Sequence, residues 1–235
     1  MSVLTSLKLI NTEIVECRKC PRLVRYREEI GRVKRRAYRD HDYWSRPVPG
    51  FGDPHAKLMI IGLAPGAHGS NRTGRMFTGD RSGDFLYPQL YHAGFANQPT
   101  AVSSDDDLRL TNAYIGAVAR CAPPDNKPTP AEINNCSPYL EAEIDLLKPR
   151  AVLALGQIAW THYLRVLVRQ KLVARASEYR FGHGAKFQLP GGLPKLFGSY
   201  HPSQQNTSTG KLTPSMFADV LRDIQRFLKK AEAKT

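Results

Sequence analysis

The four cysteines of this 235-residue chain have a spacing that suits metal binding. Cys17 and Cys20 form a C-x2-C pair, and Cys121 and Cys136 follow later with fourteen residues between them. Four thiolates can hold either a zinc ion or an iron–sulfur cluster, and the spacing alone favours neither. A disulfide framework is not expected in a long intracellular chain, and four unliganded core cysteines are a further alternative.

The predicted positions of these cysteines indicate what a metal there would do. Cys121 follows a predicted strand, and Cys136 lies early in a helix that Thr129 and Glu132 are suited to begin with a capping box. A metal would therefore tie the N-terminal helix to the basic, Pro-rich loop over residues 122–130. We expect it to brace this loop without taking part in chemistry.

A second set of residues with chemical potential lies at the ends of predicted strands. The Gly-rich loop Gly62–Gly69 follows an apolar run, and glycines let the backbone approach a ligand closely. Phe77 and Asp80 come just before a predicted helix, and His201 follows the last predicted strand in a His-Pro-Ser turn. A carboxylate and an imidazole can exchange protons with a substrate. Their structural alternatives are a helix cap for Asp80 and a core histidine for His201.

The elements that must position these residues alternate between strand and helix patterns. Four short apolar runs are predicted as strands buried on both faces: Lys57–Leu63, Ala113–Ala119, Ala151–Leu155 and Leu196–Tyr200. Helices are predicted over 82–93 with Ser82 as N-cap, from Thr129 to about Lys148, from Gly156 to about Val168, and from Thr213 onward. This alternation predicts an α/β fold with a parallel sheet flanked by helices on both faces. Ligands of such sheets bind beyond the carboxyl ends of the strands, which selects the loops after Leu63, Ala119 and Tyr200.

Charge indicates a polyanionic partner. The chain has 34 Lys and Arg against 21 Asp and Glu, a net charge of +13 with a pI of about 9.8. Such an excess attracts nucleic acid through counterion release. The basic stretch from Arg18 to Arg46 reads as a helix followed by an exposed loop, and either phosphate contact or a solvated charge run explains it. No apolar run is long enough to span a membrane and no signal peptide is recognisable, so we expect a cytoplasmic protein without a membrane partner.

Taken together, these motifs resemble the uracil-DNA glycosylase superfamily, and most closely its family 5, the B-type iron–sulfur-containing branch. The matching stretches run in order along nearly the whole chain: Glu16–Pro21, Gly62–Asp80, Arg120–Pro128, Cys136 and His201–Thr207. The resemblance implies a structural 4Fe–4S cluster on Cys17, Cys20, Cys121 and Cys136. It also implies one domain over 1–235, with an N-terminal cluster-binding helix and a three-layer α/β/α fold around a central four-stranded parallel sheet.

The resemblance further implies an activity. Family 5 members are glycosylases that hydrolyse the N-glycosidic bond of uracil, and often of other deaminated bases such as hypoxanthine, in double-stranded DNA. Xanthine is a further expected substrate, and the reaction would initiate base-excision repair by a nucleoid-associated monomer. The alternative is a non-catalytic protein that binds damaged DNA through the same basic surface.

The resemblance also assigns roles to residues. Asp80 would orient or deprotonate water or stabilise a cationic sugar, His201 would hydrogen-bond the leaving base, and Phe77 would stack on it. The expected catalytic residues are Asp80, His201 and Asn126; the base-binding residues are Gly62, Ala64, Pro65, Gly66, Phe77 and His201; the DNA-binding residues are His68, Asn71, Arg72, Ser203, Gln204, Gln205 and Asn206. The segment from Ser203 to Asn206 would enter the minor groove beside the orphaned base.

Two departures from the superfamily pattern bear on base specificity. Ala64 stands where other branches carry an acidic or amide side chain, and Gly116-Ala117 stands where many carry an Asn that reads uracil. The usual water activator and the usual uracil discriminator are both missing from these positions. We therefore expect a roomier pocket with relaxed base specificity that includes hypoxanthine.

Overall fold

A computed structural model describes residues 2–232 of the chain. Two N-terminal helices and a 3-10 turn over Arg36–Tyr38 precede the sheet. The helices are α1 (Val3–Val15), α2 (Pro21–Val33), α3 (Ser70–Thr73), α4 (Arg81–His92), α5 (Pro130–Leu147), α6 (Gln157–Arg169), α7 (Gln204–Ser208) and α8 (Pro214–Glu232). The strands are β1 (Phe51–Gly52), β2 (Leu58–Gly62), β3 (Ala113–Ala117), β4 (Ala151–Leu155), β5 (Lys186–Phe187) and β6 (Lys195–Ser199). Met1 and residues 233–235, which the expected domain includes, lie outside the described residues.

The sheet has six strands in the order β1-β3-β2-β4-β6-β5. The four central strands are parallel and match the four predicted ones, whereas β1 and β5 add antiparallel pairs at the two edges. The expected count of four strands is therefore wrong by these two. Each edge strand has only two residues, too few for an alternating pattern to appear in the sequence.

Helices cover both faces of the sheet, as the apolar strands require. One core packs α4 and α8 against β2, β3 and β4, and it contains Phe77, Leu86 and Phe217. The other core packs α5 and α6 against the opposite face, with Trp160 and Tyr163 among its largest side chains. The three-layer α/β/α arrangement is thereby confirmed.

The N-cap predicted from the sequence is found at the start of α5 but not at the start of α4. The Thr129 hydroxyl accepts the amide N–H of Glu132 while the Glu132 carboxylate accepts that of Thr129, so the predicted capping box is confirmed. For α4 the N-cap is Asp80 and not Ser82. Both residue types can cap, and the aspartate that lies two residues earlier accepts the free amides.

No helix among residues 2–232 is long and apolar enough to cross a membrane.

Candidate active site and cysteine cluster

The ends of the parallel strands bring Phe77 and His201 together, although they are far apart in the chain. β2 ends at Gly62 and leads into the Gly-rich loop, and β6 ends at Ser199 just before His201. The two ring centroids lie 5.8 Å apart with their planes tilted by 32°. This edge of the sheet is the one that the strand pattern selected for ligand binding.

Phe77 is held in a backbone conformation that non-glycine residues rarely adopt. Its φ is +52°, and its side chain is buried. The ring lies over Gly62, where an added Cβ would meet the ring atom Cζ at 2.9 Å. The hydroxyl of Tyr87 donates to the Met76 carbonyl at 2.7 Å and so fixes the preceding peptide. A strained residue held by its surroundings is typical of functional sites.

Asp80 combines the two roles that the sequence left open. Its Oδ1 accepts the amide N–H groups of Ser82 at 3.0 Å and Gly83 at 3.1 Å and so caps α4. Its Oδ2 faces the Gly-rich loop, since an added Cβ on Gly66 would lie 2.8 Å from it. Burial raises the pKa of Asp80, and the two backbone hydrogen bonds oppose the rise. One oxygen of the carboxylate is thus structural and the other is directed at the loop.

His201 is half-buried, and its imidazole has no hydrogen-bond partner among the described residues. Burial lowers its pKa to about 4, so the ring is neutral near pH 7. No hydrogen bond joins the ring to any residue between 2 and 232, and its Cβ lies 3.3 Å from where a Cβ on Gly156 would be. The amide nitrogen of Asn206 donates to the His201 carbonyl at 2.9 Å and holds its backbone. A neutral imidazole so placed can donate or accept one hydrogen bond to a ligand.

The remaining loop residues form a tight turn beside these groups. Pro65 is buried, and Ala64 is half-buried. The Gly66 carbonyl accepts the amide N–H groups of Gly69 at 3.3 Å and Asn71 at 3.0 Å. The turn therefore continues directly into α3, and any movement of α3 moves the loop with it.

Two of the residues expected to contact DNA have structural roles. Asn71 is completely buried, and its amide nitrogen donates to the carbonyls of Arg27 at 3.2 Å and Ala67 at 3.4 Å. Arg72 is 8% exposed and donates to the carbonyls of His68 and Gly79. Asn71 and Arg72 direct these donors to groups within the protein, and their contact with DNA stays a prediction. His68 is half-buried and stays a candidate.

The segment expected to enter the minor groove is a short helix. Ser203 precedes α7, and Gln204 and Gln205 are exposed on it. Asn206 points inward to the His201 carbonyl, so its amide positions the histidine. Gln204 also borders an open groove against Arg81 and other residues of α4.

Asn126 lies in the loop between β3 and α5. It is exposed in a 3-10 turn over Pro124–Asn126, and both it and Asp125 have positive φ values. No hydrogen bond among the described residues joins its side chain to Asp80 or His201. Arg22 holds the end of this turn, because its guanidinium donates to the Lys127 carbonyl at 3.1 Å and to the Glu132 carboxylate.

The four cysteines come from three parts of the fold. Cys17 lies between α1 and α2, Cys20 is the N-cap of α2, Cys121 follows β3, and Cys136 lies on α5. All four are free thiols, and all but Cys17 are buried. Burial raises the pKa of the Cys121 thiol, and the charge of Arg27 opposes this rise.

The surroundings of these thiols suit negatively charged sulfur. Arg27 donates from Nη1 to the Cys121 Sγ at 2.9 Å, and Asn135 donates from Nδ2 to the Cys20 Sγ at 3.4 Å. Buried nitrogens of Arg27 and Arg120 have no partner among the described atoms, which leaves donors available nearby. N–H donors directed at sulfur are typical of iron–sulfur sites. Within residues 2–232, no three His, Cys, Asp or Glu side chains are arranged to hold a metal ion.

The sequence patterns did not indicate that two arginines, Arg27 and Arg120, are buried near the cysteines. Arg27 is 2% exposed and its backbone carbonyl accepts the Asn71 amide, so one residue touches both the cysteine site and the start of α3. Arg120 is buried in an ion pair with Glu143, which also accepts the Tyr114 hydroxyl. No local signal separates these arginines from the exposed ones around them, because burial depends on distant elements.

A parallel α/β sheet with a Gly-rich loop, a strained aromatic and a histidine at its strand ends is the arrangement of one known class of protein. The model of the uracil DNA glycosylase superfamily matches residues 49–225, more than half of the chain. The chain therefore belongs to the uracil DNA glycosylase superfamily.

Curated relatives narrow the likeness within the superfamily. A protein of Thermus thermophilus named Type-5 uracil-DNA glycosylase is 53% identical, covering 91% of this chain and 94% of the relative. Proteins with the same name are 51% identical in Mycobacterium leprae, over 94% and 95%, and 44% identical in Pyrobaculum aerophilum, over 89% and 88%.

Proposed function

We propose that this chain is a DNA glycosylase that hydrolyses the N-glycosidic bond of uracil in DNA and so initiates base-excision repair. The observation that carries the proposal is the convergence of Phe77, Asp80 and His201 around the Gly-rich loop. The names of the curated relatives support the same activity. The high net charge supports a DNA substrate.

The chemistry follows from the placement of these three groups. A glycosylase extrudes its target nucleotide from the duplex, and the ring of Phe77 offers a stacking surface for the extruded base. Cleavage places negative charge on the departing base, and the neutral His201 ring donates a hydrogen bond to it. The ionised Oδ2 of Asp80 orients water or stabilises the cationic sugar. Asn126 belongs to the proposal as a contact to water or base from the turn after Cys121.

The proposal includes bases other than uracil. Ala64 supplies no polar side chain, and Ala117 packs in the same core as Phe77 without reading a base edge. Gly116 faces away, since an added Cβ would meet Glu143 Oε2 and Met59 Cε at 2.8 Å each on the other side of the sheet. A pocket with so few polar discriminators accepts hypoxanthine and xanthine beside uracil.

The proposal also includes a 4Fe–4S cluster on Cys17, Cys20, Cys121 and Cys136. Free buried thiols with N–H donors directed at two of the sulfurs fit this group. When bound, the cluster supplies structural cross-linking of α1, α2, the loop after β3 and α5.

The test of activity uses duplexes that differ in a single base. Uracil, hypoxanthine, xanthine or an undamaged base is placed at one position, and abasic sites are revealed by cleavage in alkali. We expect cleavage of all three damaged duplexes and none of the undamaged one. Binding of damaged duplexes without base release would instead favour the damaged-DNA-binding alternative, and inert hypoxanthine beside active uracil would contradict the broad pocket.

The test of the cluster is chemical analysis of the purified protein. We expect iron and acid-labile sulfide in equal amounts, with broad visible absorption that disappears on acid treatment. Stoichiometric zinc without iron, in protein purified anaerobically, would contradict the cluster proposal.

A further inference from the structure

We propose that the basic segment, residues 34–46, is a phosphate-binding surface that holds the DNA backbone beside the base pocket. This inference rests on the proposed function, because it names the surface on which that activity would position its substrate. It is carried by three observations: unpaired exposed arginines, contacts that fasten the segment to α3, and a hydrogen-bonded tyrosine that reaches the Gly-rich loop.

Three arginines of the basic segment differ from Arg46 at its end, which pairs with Glu16, and from three of the arginines that precede the segment. Arg18, Arg22 and Arg32 form ion pairs with Glu28, Glu132 and Glu29, respectively. Arg35, Arg36 and Arg39 are exposed and form no ion pair with any residue in the described range 2–232. Ion pairs hold the first group to the protein, whereas the second group is free to neutralise an external anion.

The segment is fastened to α3 rather than free in solvent. The Tyr38 ring lies 4.1 Å from the Arg72 guanidinium carbon, and His41 Nδ1 lies 3.2 Å from Arg72 Nη1. The amide N–H groups of Trp44 and Ser45 donate to the carbonyls of Arg72 at 2.9 Å and Asn71 at 3.0 Å. Arg72, which the sequence assigned to DNA, thus serves as the anchor for the cationic segment.

One tyrosine connects the segment to the Gly-rich loop. The Tyr43 hydroxyl lies 3.0 Å from His68 Nδ1 and accepts the Arg35 amide N–H at 3.5 Å. Burial lowers the pKa of His68, and the charges of Arg35 and Arg72 lower it further. The Tyr43 hydroxyl therefore fixes the position of the segment relative to the Gly-rich loop.

This geometry predicts that the basic segment contributes to DNA binding and not to the rate of base release. Phosphate contacts position a protein on DNA and carry no sequence information. Loss of the Arg35, Arg36 and Arg39 charges should weaken binding to damaged and undamaged duplexes alike. It should leave the rate of base release from the fully bound complex unchanged, since none of these side chains touches the pocket.

The experiment compares two variants that remove the same charge. One carries Arg35→Gln, Arg36→Gln and Arg39→Gln. The control carries Arg222→Gln, Arg226→Gln and Lys230→Gln, three exposed cations on α8, of which Arg222 and Arg226 pair with Asp219 and Asp223. This helix begins beside α7 and extends about 28 Å from there, so its last turns lie far from the strand ends. Duplex affinity is measured at several salt concentrations by fluorescence anisotropy, and base release is measured in single turnover at saturating protein.

The salt dependence of duplex affinity should distinguish the two variants. For the basic-segment variant we expect the slope of log affinity against log salt to fall in magnitude by about two to three, since each phosphate contact contributes about 0.9. The control slope should change by less than about one. Single-turnover release should stay within about twofold of the parent for both variants. Restoring charge with Arg35→Lys, Arg36→Lys and Arg39→Lys should recover the slope.

Equal slopes for the two glutamine variants would overturn the proposal. A fall in single-turnover release with an unchanged slope would also overturn it, because the segment would then act on the pocket. Failure of the proposed function looks different: the parent protein would release no base from any duplex, while the slopes of the two variants would still differ.

Discussion

The strand-end site and the cysteine site are built in different ways. The strand-end site takes Phe77 and Asp80 from the segment between α3 and α4 and His201 from the end of β6, which β4 separates from β2. The cysteine site gathers four side chains from the N-terminal helices, the loop after β3 and α5. On the proposed function, we expect the first region to carry the chemistry and a cluster in the second region to hold the N-terminal helices to α5.

The two regions are nevertheless joined by a short path. Arg27 donates to the Cys121 sulfur, and its carbonyl accepts the amide of the buried Asn71. Asn71 also donates to the Ala67 carbonyl inside the loop that faces Asp80. The proposed cluster would therefore brace the loop over residues 122–130, as the sequence predicts, and through Asn71 it would also support the Gly-rich loop.

The largest effect should come from breaking the cysteine site itself. Replacing Cys121 by Ala removes one ligand and leaves the Arg27 guanidinium buried without its sulfur partner. We expect loss of iron, a lower melting temperature and loss of activity together, and Cys17→Ala should do the same. Iron content, thermal melting and uracil release are measured on each variant. Lost activity with unchanged melting temperature would contradict the structural role.

The next largest effect should be confined to the pocket. Asp80→Asn keeps an oxygen that can cap α4 but removes the charge that faces the Gly-rich loop. We expect kcat to fall about a thousandfold, within the range for loss of a general base, with the melting temperature almost unchanged. Asp84→Asn, which changes a carboxylate in the first turn of the same helix, is the control and should retain activity. A comparable fall in kcat for Asp80→Asn and Asp84→Asn would contradict a specific catalytic role for Asp80.

A smaller effect should appear when the path between the two regions is cut. Asn71→Ala leaves the Arg27 and Ala67 carbonyls without this donor, and the free energy of unfolding should fall by about 1–3 kcal/mol. We expect kcat to fall about tenfold while iron content stays normal, because the loop loosens and the ligands remain. Hydrogen exchange should be faster over residues 66–73.

The control for this variant is an asparagine on the other side of the cysteine site. Asn135 donates to the Cys20 sulfur and makes no described contact with the Gly-rich loop. Asn135→Ala should shorten the lifetime of the cluster in air and leave kcat of the loaded protein unchanged. If Asn71→Ala retained full activity with a rigid loop, the path between the regions would carry no coupling.

The comparison also explains which parts of the molecule the sequence could predict. The four central strands and the Thr129 capping box depend on local patterns, namely apolar runs and a cap residue three positions before a glutamate. The pocket residues could be placed because the strand ends of a parallel sheet meet at one edge. Cluster ligands could be proposed because cysteine is rare in the chain.

What the sequence could not predict depends on contacts between distant segments. Asn71 and Arg72 lie in a motif among polar residues, and only the packing of α2 and the basic segment against α3 shows that they face inward. The same polar side chain can bind a phosphate or a neighbouring carbonyl, so type and spacing do not separate the two. The edge strands were missed for a simpler reason, since two residues show no periodicity.

The smallest effect is a shift in pH dependence, and it distinguishes the two ionisable groups of the pocket. Asp80 must be ionised to act, and burial raises its pKa above that of an ordinary carboxyl group. Single-turnover release should therefore fall as the pH falls through this raised pKa, at a higher pH than for an exposed aspartate. His201 has its pKa lowered to about 4 and stays neutral above that pH, so it contributes no transition near pH 6.5. The profile is measured from about pH 4.5 to about pH 8.

Variants identify the ionisable group that causes this fall in rate at acidic pH, the acidic limb of the profile. The residual rate of Asp80→Asn should lose the limb, whereas His201→Gln should be slower at every pH and keep it. Asn135→Ala, which alters only the cysteine site, should leave the midpoint where it is. A limb that persists in Asp80→Asn, or one near pH 6.5 that disappears in His201→Gln, would contradict the assignment of charge to the aspartate and neutrality to the histidine. A change in stability at the cysteine site should not move the midpoint of the pH profile, whereas a change at Asp80 should. The midpoint therefore distinguishes the strand-end site from the cysteine site.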